Sequence, residues 1–375
     1  MINLLKKILR FSSFVKVITI IVLIGLCLSY LSPFIHPGTL QIIPFFGLIY
    51  PVLLIIALFL LIIWSLVRSR WAVYTLLVIL IGSKLHFRLF AFGSDPENLP
   101  PNEEQLHIMS YNVRLFDLYT AKNGEKYTKR DAIFKYINSE NPDVICFQEF
   151  YHQDKPTQFS TRDTLIQLLH IKDYHERYAH KLSGRQNFGV AVLSKYPMIA
   201  KGDVRFETQD DNDFNYCVFV DVLKNNDTFR IYNVHLQSIK LQQDDYSVFD
   251  PNSKSKASTR SLLGLIYDKL IVAYPKRANQ AQTVIDHVKT SPYPTIVCGD
   301  FNDTPLSYAY NQFNNLLIDA FRNCSTGIGT TYVGKVPAGR IDYIFHTDDL
   351  ASAKFVIQEE PLSDHLAISC RVFKK

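Results

Sequence analysis

The sequence predicts a large α/β domain that follows an N-terminal transmembrane helical region. Two observations support this prediction. The first 94 residues contain no Asp or Glu and include long apolar stretches. After residue 94 the chain becomes polar, and apolar, β-rich runs alternate with helical patterns. Interleaved strands and helices over this length are typical of an α/β domain.

Two N-terminal stretches, 17–35 and 42–67, are apolar over roughly the length of about 20 residues that crosses a bilayer. We predict that both are transmembrane helices. A third stretch, 71–90, is apolar in its first half and is then interrupted by two cations and a histidine that would reach towards an interface. A buried helical hairpin is the alternative, but these stretches lack the polar face that it would show.

The distribution of basic residues predicts the orientation of these helices. Cations precede the first span and occupy the 68–70 turn, whereas the 32–41 loop has none. Because basic loops stay on the cytoplasmic side, the N-terminus and that turn are expected there. Three spans across the cell (inner) membrane then place the following domain on its extracytoplasmic face. Two spans would leave the domain in the cytoplasm.

The domain organisation follows from the composition. Residues 1–92 form the predicted membrane anchor, 93–105 a proline-marked linker and 106–375 the catalytic domain. The predicted strands of that domain cover 106–111, 144–148, 189–193, 216–222, 229–234, 295–298, 341–345 and 367–372. The predicted helices cover 130–138, 161–169 and 261–289.

The charge is unevenly divided along the chain. The whole sequence carries +5, but eight cations lie in the first 94 residues and have no acidic counterpart there. The remainder holds 32 of the 40 basic residues and all 35 acidic ones, which gives about −3. This balance shows no broad electrostatic footprint for nucleic acid.

Residues 239–260 form a long polar segment directly after His235. A loop of that length is usually functional or disordered. It is therefore either a flap that contacts substrate or a mobile surface insertion. The polar 115–128 connection, just past Asn112, has the same two interpretations.

Several short segments place polar side chains at the ends of apolar runs. They are Asn112 in SYNVRLF, Glu149 in CFQEF, His235 in YNVHL, Asp300 and Asn302 in GDFND, and Asp364 with His365 in SDH. If the runs are strands, their ends deliver these groups to one rim of a sheet. Carboxylates, amides and imidazoles that converge on a rim suit a hard cation and a phosphate.

The first two of these residues have local alternatives. A carboxylate such as Glu149 at the exit of a buried strand is costly without a cation or donors, so metal ligation would compensate it; otherwise it simply reaches solvent. Asn112 either terminates its strand by bonding to its own backbone or belongs to a metal site, where its amide would orient a neighbouring carboxylate or bind the cation.

The GDFND segment offers an acceptor and an amide two residues apart. Asp300 can receive a proton from water while Asn302 holds a phosphoryl oxygen. An Asx-rich turn is the alternative. Asp342 interrupts an apolar strand and needs a partner; if it accepts from one nitrogen of His365, the other nitrogen can face the phosphate as part of an imidazolium. His235 would be a second donor.

The ordered motif set, from about residue 106 to 373, resembles the endonuclease/exonuclease/phosphatase (deoxyribonuclease-I-like) superfamily, here of a membrane-anchored bacterial type. The resemblance implies a four-layer α/β sandwich with two central mixed β-sheets. It also implies Mg²⁺- or Mn²⁺-dependent attack of water on a phosphoester. The GRQNFGV segment is typical of the superfamily, with Asn187 as a phosphate-side contact.

The resemblance implies a role for each site residue. The metal site would comprise Asn112, Glu149 and Asp364. The catalytic set would comprise Asp300, Asn302, His235, Asp342 and His365. The phosphate would be held by Asn187, His235, Asn302 and His365.

The expected function is therefore a membrane-anchored, metal-dependent phosphoesterase whose substrate is membrane-proximal, such as a lipid headgroup or a small ester. A membrane-tethered nuclease is the first alternative, although it calls for basic strips that the sequence does not show. A non-catalytic binding module of the same fold is the second, and the intact motif set disfavours it. His235 matches the deoxyribonuclease and sphingomyelinase branches, and the polar 239–260 segment differs from the hydrophobic hairpin of secreted sphingomyelinases.

Overall fold

The computed structural model describes residues 2–118, 126–154, 157, 159–182, 185–206, 215–239, 259–334 and 339–375. The chain forms two compact units. The first contains Met1–Leu89 and Thr304–Asn311, and the second contains Phe90–Asp303 and Gln312–Lys375. Most of the 239–260 segment and residues 119–125 of the 115–128 connection lie outside the described residues, so both interpretations of these segments, flap or surface insertion, stay predictions.

The N-terminal part of the first unit is helical. Its helices are α1 (Ile2–Leu31), α2 (Ile43–Leu66), α3 (Trp71–Ile81) and α4 (Ser83–Leu89). In the described part of the chain, Ser13–Leu31 and Ile43–Leu66 are long and apolar enough to cross a membrane. Helices α3 and α4 meet at a 62° bend and together could form a third span. The third predicted stretch is therefore a broken helix, not a continuous one.

The first two helices pack through small and polar groups. Trp64 Nε1 donates to Thr19 Oγ1 at 2.9 Å, and Ser29 Oγ donates to the carbonyl of Phe46 at 2.8 Å. A side chain at Gly25 would press on Leu53, at 3.1 Å. Since lipid gives apolar helices no hydrophobic reason to associate, such close packing and interhelical hydrogen bonds hold transmembrane pairs together.

The second unit is built on two six-stranded sheets. The first contains β2 (Leu106–Asn112), β3 (Val144–Gln153), β4 (Asp173–Leu182), β5 (Gln186–Ser194), β13 (Leu350–Ile357) and β14 (Ile368–Lys374), in the order β13-β14-β2-β3-β5-β4. The second contains β6 (Met198–Val204), β7 (Cys217–Lys224), β8 (Asp227–His235), β9 (Thr295–Asp300), β10 (Ile318–Asp319) and β12 (Asp342–His346), in the order β10-β12-β9-β8-β7-β6. A separate ladder joins β1 (Ala91–Phe92) to β11 (Thr326–Gly327).

Both sheets are mixed, and one parallel pair lies inside each. Strands β2 and β3 are parallel in the first sheet, and β8 and β9 are parallel in the second, whereas their other neighbours are antiparallel. The carboxyl ends of these four strands therefore meet the amino ends of the antiparallel strands β12 and β14. That edge collects side chains from both sheets.

The core has layers on both faces of the sheets. Alternate side chains of β2 and β3, including Ile108 and Cys146, point into the cluster between the two sheets. Their neighbours, including Met109 and Ile145, pack under α5 (Lys126–Glu140) and α6 (Thr161–Leu169). A sheet covered on both faces reads as a continuous apolar run, which explains why these strands stand out in the sequence.

Helices also cover the outer face of the second sheet. Helix α7 (Thr259–Val288) places His287 against the hydroxyl of Tyr232, 2.8 Å from His287 Nδ1. Helix α8 (Tyr308–Asn314) carries Phe313, whose ring lies 4.6 Å from the ring of Phe301. A short helix, α9 (Ala320–Cys324), follows. The predicted α/β fold with two mixed sheets is confirmed.

Candidate functional site

The polar residues singled out in the sequence come together at the shared edge of the two sheets. Strands β2, β8 and β9 end there, and strand β12 begins there. Strand β3 does not end at Gln148 as predicted, because it passes the site at Glu149 and continues to Gln153. The register aligns His235 with Asp300 and Asp300 with Asp342, so these three residues lie side by side in the second sheet. The first sheet supplies the residues that face them.

Glu149 is delivered by a β-bulge. The register of β3 against β5 shifts between Phe147 and Phe150, and Glu149 adopts a left-handed backbone with φ of 48°. A bulge of this kind re-aims a side chain, and such a φ is uncommon outside glycine. The two phenylalanines stay fully buried, while Glu149 is half-buried at the rim.

The electrostatic environment of Glu149 is negative. Burial and the carboxylate of Asp364 raise the pKa of Glu149 to about 7, with a further contribution from Asp300. The nearby imidazole of His365 and the amide of Asn112 act in the opposite direction. Such a cluster of carboxylates resists ionisation, and a bound divalent cation would stabilise its charged form.

Asn112 links the two sheets. Its Nδ2 donates to Asp300 Oδ2 at 3.0 Å, and its Oδ1 accepts from the backbone N–H of Arg114 at 3.1 Å. The side chain is buried. Its amide therefore orients the carboxylate of Asp300, which is one of the roles that the sequence left open.

Asp300 lies at the centre of the cluster. Its Oδ1 accepts from the backbone N–H of Asn302 at 2.8 Å, and its Oδ2 lies 3.6 Å from His365 Nε2 and 3.8 Å from His235 Nε2. Burial raises the pKa of Asp300, His365 lowers it and Asp342 raises it, with a net increase. The buried carboxylate of Asp300 therefore accepts hydrogen bonds from Asn112 and Asn302 and has an imidazole nitrogen on each of two further sides.

Strand β9 reaches this position through Gly299. The residue has φ of 143°, and a Cβ there would lie 1.9 Å from the carbonyl oxygen of Val234 on strand β8. Only glycine permits so close an approach of the two backbones. The close approach aligns Asp300 with His235.

His365 and Asp342 form a buried pair. His365 Nδ1 lies 3.1 and 3.0 Å from the two carboxylate oxygens of Asp342, so the other ring nitrogen faces Asp300. Burial alone would lower the pKa of His365, but Asp342 and Asp300 raise it to about 10. The imidazolium form is therefore favoured. The ring of Tyr332 packs edge-on against the imidazole at 5.0 Å.

Asn302 adopts a left-handed backbone with φ of 53°. Its Nδ2 donates to the carbonyl of Leu236 at 3.1 Å, and the Leu236 N–H donates to the carbonyl of Asp300 at 3.0 Å. These bonds join the residue after His235 to the GDFND turn. A phosphate contact from the Asn302 amide stays a prediction.

Asp364 lies at the more open side of the cluster. Its Oδ1 is 3.3 Å from Ser363 Oγ, and its Oδ2 is 3.5 Å from Arg114 Nε. The Asp364 side chain is 16% exposed and so remains accessible for a ligand, and the adjacent guanidinium compensates part of its charge. Arg114 was not singled out by the sequence.

Asn187 lies within strand β5, paired with His152 of strand β3. It is buried, and among the described residues its Oδ1 has no hydrogen-bond partner. In the same part of the chain, no hydrogen bond joins Asn187 to Asp300 or His365. Its assignment to the phosphate stays a prediction.

Two residues of helix α7 support the site and were missed by the sequence analysis. Arg277 Nε donates to the carbonyl of Gln237 at 2.6 Å, and the Gln237 N–H donates to Gln280 Oε1 at 2.8 Å. Arg277 Nη1 also lies 3.8 Å from Asp303 Oδ2. The spacing of Arg277 and Gln280 puts both on one helical face, but the sequence does not show that this face is buried.

A buried polar link lies beneath Glu149. Gln148 Nε2 donates to Asn233 Oδ1 at 2.6 Å across the two sheets. Asn233 Nδ2 in turn donates to the carbonyls of Phe147 and Ala191, at 2.9 and 3.0 Å. These bonds satisfy the backbone at the bulge and fix the distance between the sheets below the site.

Two groups of side chains could hold a cation. In the described residues, ligand atoms of Asp300, Asp342 and His365 lie within 4.8 Å of one another. However, His365 Nδ1 is engaged by Asp342, and an imidazolium does not ligate a metal. The carboxylates of Glu149 and Asp364 fit a hard cation better, because oxygen ligands are what Mg²⁺ and Mn²⁺ prefer.

Comparisons with known proteins agree with this geometry. A family model described as "Endonuclease/Exonuclease/phosphatase family" matches residues 109–365. A second model, a domain of unknown function (DUF8431), matches residues 12–89. No curated protein matches the chain.

Solved structures share the fold of the second unit. An endonuclease/exonuclease/phosphatase from Bacteroides vulgatus has a TM-score of 0.52 and 18% identity, over 72% of this chain and 99% of its own. A family protein of the same description from Leptotrichia buccalis C-1013-b has a TM-score of 0.50 and 19% identity, over 71% and 99%. At this identity the similarity shows the fold alone.

Proposed function

Because the chain belongs to the endonuclease/exonuclease/phosphatase family, we propose that it is a membrane-anchored, divalent-metal-dependent phosphoesterase that hydrolyses a phosphodiester or phosphomonoester with water as the nucleophile. The observation that supports this most strongly is a series of three buried contacts. Asn112 donates a hydrogen bond to Asp300, Asp300 lies 3.6 Å from His365 Nε2 as an ion pair, and His365 Nδ1 is hydrogen-bonded to Asp342. Glu149 lies beside that series and close to Asp364, because the charges of Asp364, His365 and Asp300 all act on the pKa of Glu149.

The donor set fits a hard cation. Glu149 and Asp364 would hold it, and Asn112 would keep the adjacent carboxylate of Asp300 in place. Bound Mg²⁺ or Mn²⁺ would neutralise charge that develops on the phosphoryl oxygens and on the leaving oxygen. The raised pKa of Glu149 supports this assignment, since the same carboxylates repel one another without a cation.

Groups from both sheets would act on the water and on the phosphate. Asp300, oriented by Asn112 and by the N–H of Asn302, accepts a proton from the attacking water. His365 Nε2, as an imidazolium, donates a hydrogen bond to a phosphoryl oxygen. Asp342 holds Nδ1 and so fixes which nitrogen faces the substrate. Because water is the nucleophile, no covalent enzyme intermediate forms.

The location of the enzyme follows from its N-terminal helices. We assign residues 1–92 to a multi-pass anchor in the cell (inner) membrane, 93–105 to a linker and 106–375 to the catalytic domain. The two helices that are long and apolar enough to span, together with the basic 68–70 turn, support this arrangement. With the bent α3–α4 pair as a third span, the catalytic domain faces the extracytoplasmic side.

The proposed substrate is membrane-proximal, either a lipid headgroup or a small ester. The anchor supports this choice, as does the charge of about −3 that follows residue 94. The direct test is a panel of bis-p-nitrophenyl phosphate, sphingomyelin, phosphoinositides and duplex DNA. The full chain in detergent is assayed on each with Mg²⁺, Mn²⁺ or chelator. Hydrolysis that requires the metal supports the proposal, and hydrolysis of none of the substrates contradicts it.

A tethered nuclease is the second candidate, favoured by the family description that the chain matches. The salt dependence of substrate affinity distinguishes the two candidate functions. An enzyme that contacts many phosphates loses affinity steeply as salt rises, whereas one that binds a single headgroup responds weakly. We expect the weak response. DNA as the best substrate, with a steep inverse salt dependence, would favour the nuclease.

A further inference from the structure

A small apolar surface begins where the second unit begins. Strand β1 pairs with β11 in antiparallel register, Ala91 opposite Gly327 and Phe92 opposite Thr326, and the Gly93 N–H continues the ladder to the carbonyl of Ser325 at 2.8 Å. Side chains alternate between the two faces of such a ladder. Ala91 is 2% exposed and faces inward, whereas Phe92 is 70% exposed and faces outward.

Two more large side chains share the outer face. Phe90 is 42% exposed, and its ring lies 4.8 Å from that of Phe92. Continuing the register places Ile328, 52% exposed, opposite Phe90. We call Phe90, Phe92 and Ile328 the aromatic patch. Single exposed apolar residues are ordinary in proteins, but a contiguous group on one face of one ladder indicates an interaction surface.

The position of the patch in the chain indicates its partner. Phe90 directly follows α4, the second half of the bent pair that could form a third span. The same helix carries Lys84, an exposed cation of the kind that lies at the headgroup level. Aromatic side chains are enriched at that level, and interfacial elements bury Phe, Trp and Leu there.

We propose that the aromatic patch inserts into the interfacial layer of the bilayer that holds the N-terminal helices. The inference rests on the membrane anchoring proposed above. The patch adds an attachment of the catalytic domain itself, beyond the covalent tether. A domain held in this way would meet substrates at a fixed height above the lipid.

Spin labelling of the full chain in vesicles tests the proposal. The vesicles contain phosphatidylcholine and phosphatidylglycerol, and Cys27, the exposed cysteine of α1, is first replaced by serine. A nitroxide is attached at Phe92→Cys or, as a matched control, at Ile199→Cys on strand β6, which is 52% exposed. Relaxation of the nitroxide by oxygen indicates that the label lies in lipid, and relaxation by a water-soluble nickel complex indicates that it lies in water.

We expect the label at residue 92 to relax with oxygen and to be shielded from nickel, and the label at residue 199 to do the reverse. Flotation of the vesicles measures the anchoring independently. If the chain floats with the vesicles but both labels meet nickel equally, the patch proposal is wrong while the anchor stands. If the chain does not float, the anchoring itself fails, and the patch proposal with it.

A second variant removes the patch without touching the site. The label is moved to Thr326→Cys, an exposed position opposite residue 92, and Phe90 and Phe92 are replaced by serine. In Thr326→Cys with both phenylalanines kept, the label should be shielded from nickel. In the variant with serines this shielding should be lost, while the circular dichroism spectrum of the protein is unchanged. Persistent shielding would overturn the proposal. So would dipolar broadening that disappears on dilution with unlabelled chain, since a second copy would then cover the patch.

Discussion

At the scale of single residues, the site combines carboxylates with different partners. Asp300 is buried and accepts hydrogen bonds from Asn112 and Asn302, with the imidazole of His365 at 3.6 Å. Glu149, in contrast, is half-buried and faces other carboxylates. Removing a charge from each should therefore have different consequences. Removing the charge of Asp300 should impair the chemical step, and removing the charge of Glu149 should impair metal binding.

For Glu149 we expect that substitution by glutamine raises the Mg²⁺ concentration needed for half-maximal activity. The amide keeps the shape of the side chain but loses the charge that attracts the cation. Excess metal should restore part of the rate. Titration of activity with Mg²⁺ measures the shift, and Glu359→Gln, at an exposed position, is the matched control. Unchanged metal dependence would exclude Glu149 as a ligand.

For Asp300→Asn and His365→Ala we expect a fall in kcat of at least about a hundredfold, because acid–base and electrostatic groups typically contribute that much. KM should change little. Steady-state kinetics on a small activated diester checks this, with Asp348→Asn as a control whose side chain is 90% exposed. Parental turnover in either site variant would contradict the mechanism.

Some of the residue geometry follows from sequence and some does not. A buried Asp in an apolar strand needs a partner, and the structure places Asp342 3.0 Å from His365. The direction of the Asn302 amide depends on the carbonyl of Leu236, which follows strand β8 and lies 66 residues away in the sequence. Likewise, the left-handed backbone of Glu149 comes from the bulge, for which the CFQEF motif has no signal.

At the scale of elements, helix α7 holds two segments of the candidate site together. Arg277 bonds to Gln237, two residues after His235, and approaches Asp303 in the GDFND turn. Because both contacts are buried, a side chain without hydrogen-bond donors would leave the Gln237 carbonyl unsatisfied. The catalytic groups would then lose their alignment.

We expect Arg277→Met to lower kcat by about ten- to a hundredfold, since misplacement of catalytic groups by about 1 Å can cost that much. Arg277→Lys should recover part of the rate, because it keeps a donor and a charge. Kinetics and thermal unfolding of both variants are compared with Asp286→Asn, an exposed position on the same helix. If kcat follows only the loss of folded protein, Arg277 has a purely structural role.

The strands that sequence analysis missed lie mainly at the edges of the sheets. Strands β4 and β13 are the edges of the first sheet, and β6 is an edge of the second. Edge strands face solvent on one side and carry polar residues, as DYHERYAHKL in β4 shows. The apolar runs that the sequence did show belong mostly to inner strands, which are covered on both faces.

At the scale of the whole molecule, the orientation of the chain in the membrane depends on the bent α3–α4 pair. A reporter that is active only outside the cytoplasm, fused after Phe373, should be active if that pair spans. A reporter after Arg70 should be inactive and serves as the control. Signal only from a cytoplasmic reporter would mean that the pair lies along the membrane surface.

The fold of the second unit was predictable because the motifs are ordered and the inner strands are apolar. The break at Gly82 was not, since the stretch before it is as apolar as a complete span. We propose that loops such as 239–260 select the substrate. Neither composition nor the inner strands determine the shape of such loops.

The bond from Asn112 to Asp300 joins residues 188 positions apart and unites the two sheets. Contacts of such sequence separation require closure of long loops and form late during folding. We therefore expect a chain in which one sheet is still incomplete to have no hydrolytic activity, even when most of its helices and strands have formed. Recovery of activity after dilution from denaturant should lag behind the recovery of circular dichroism; simultaneous recovery would show that the two halves of the sandwich assemble in a single step.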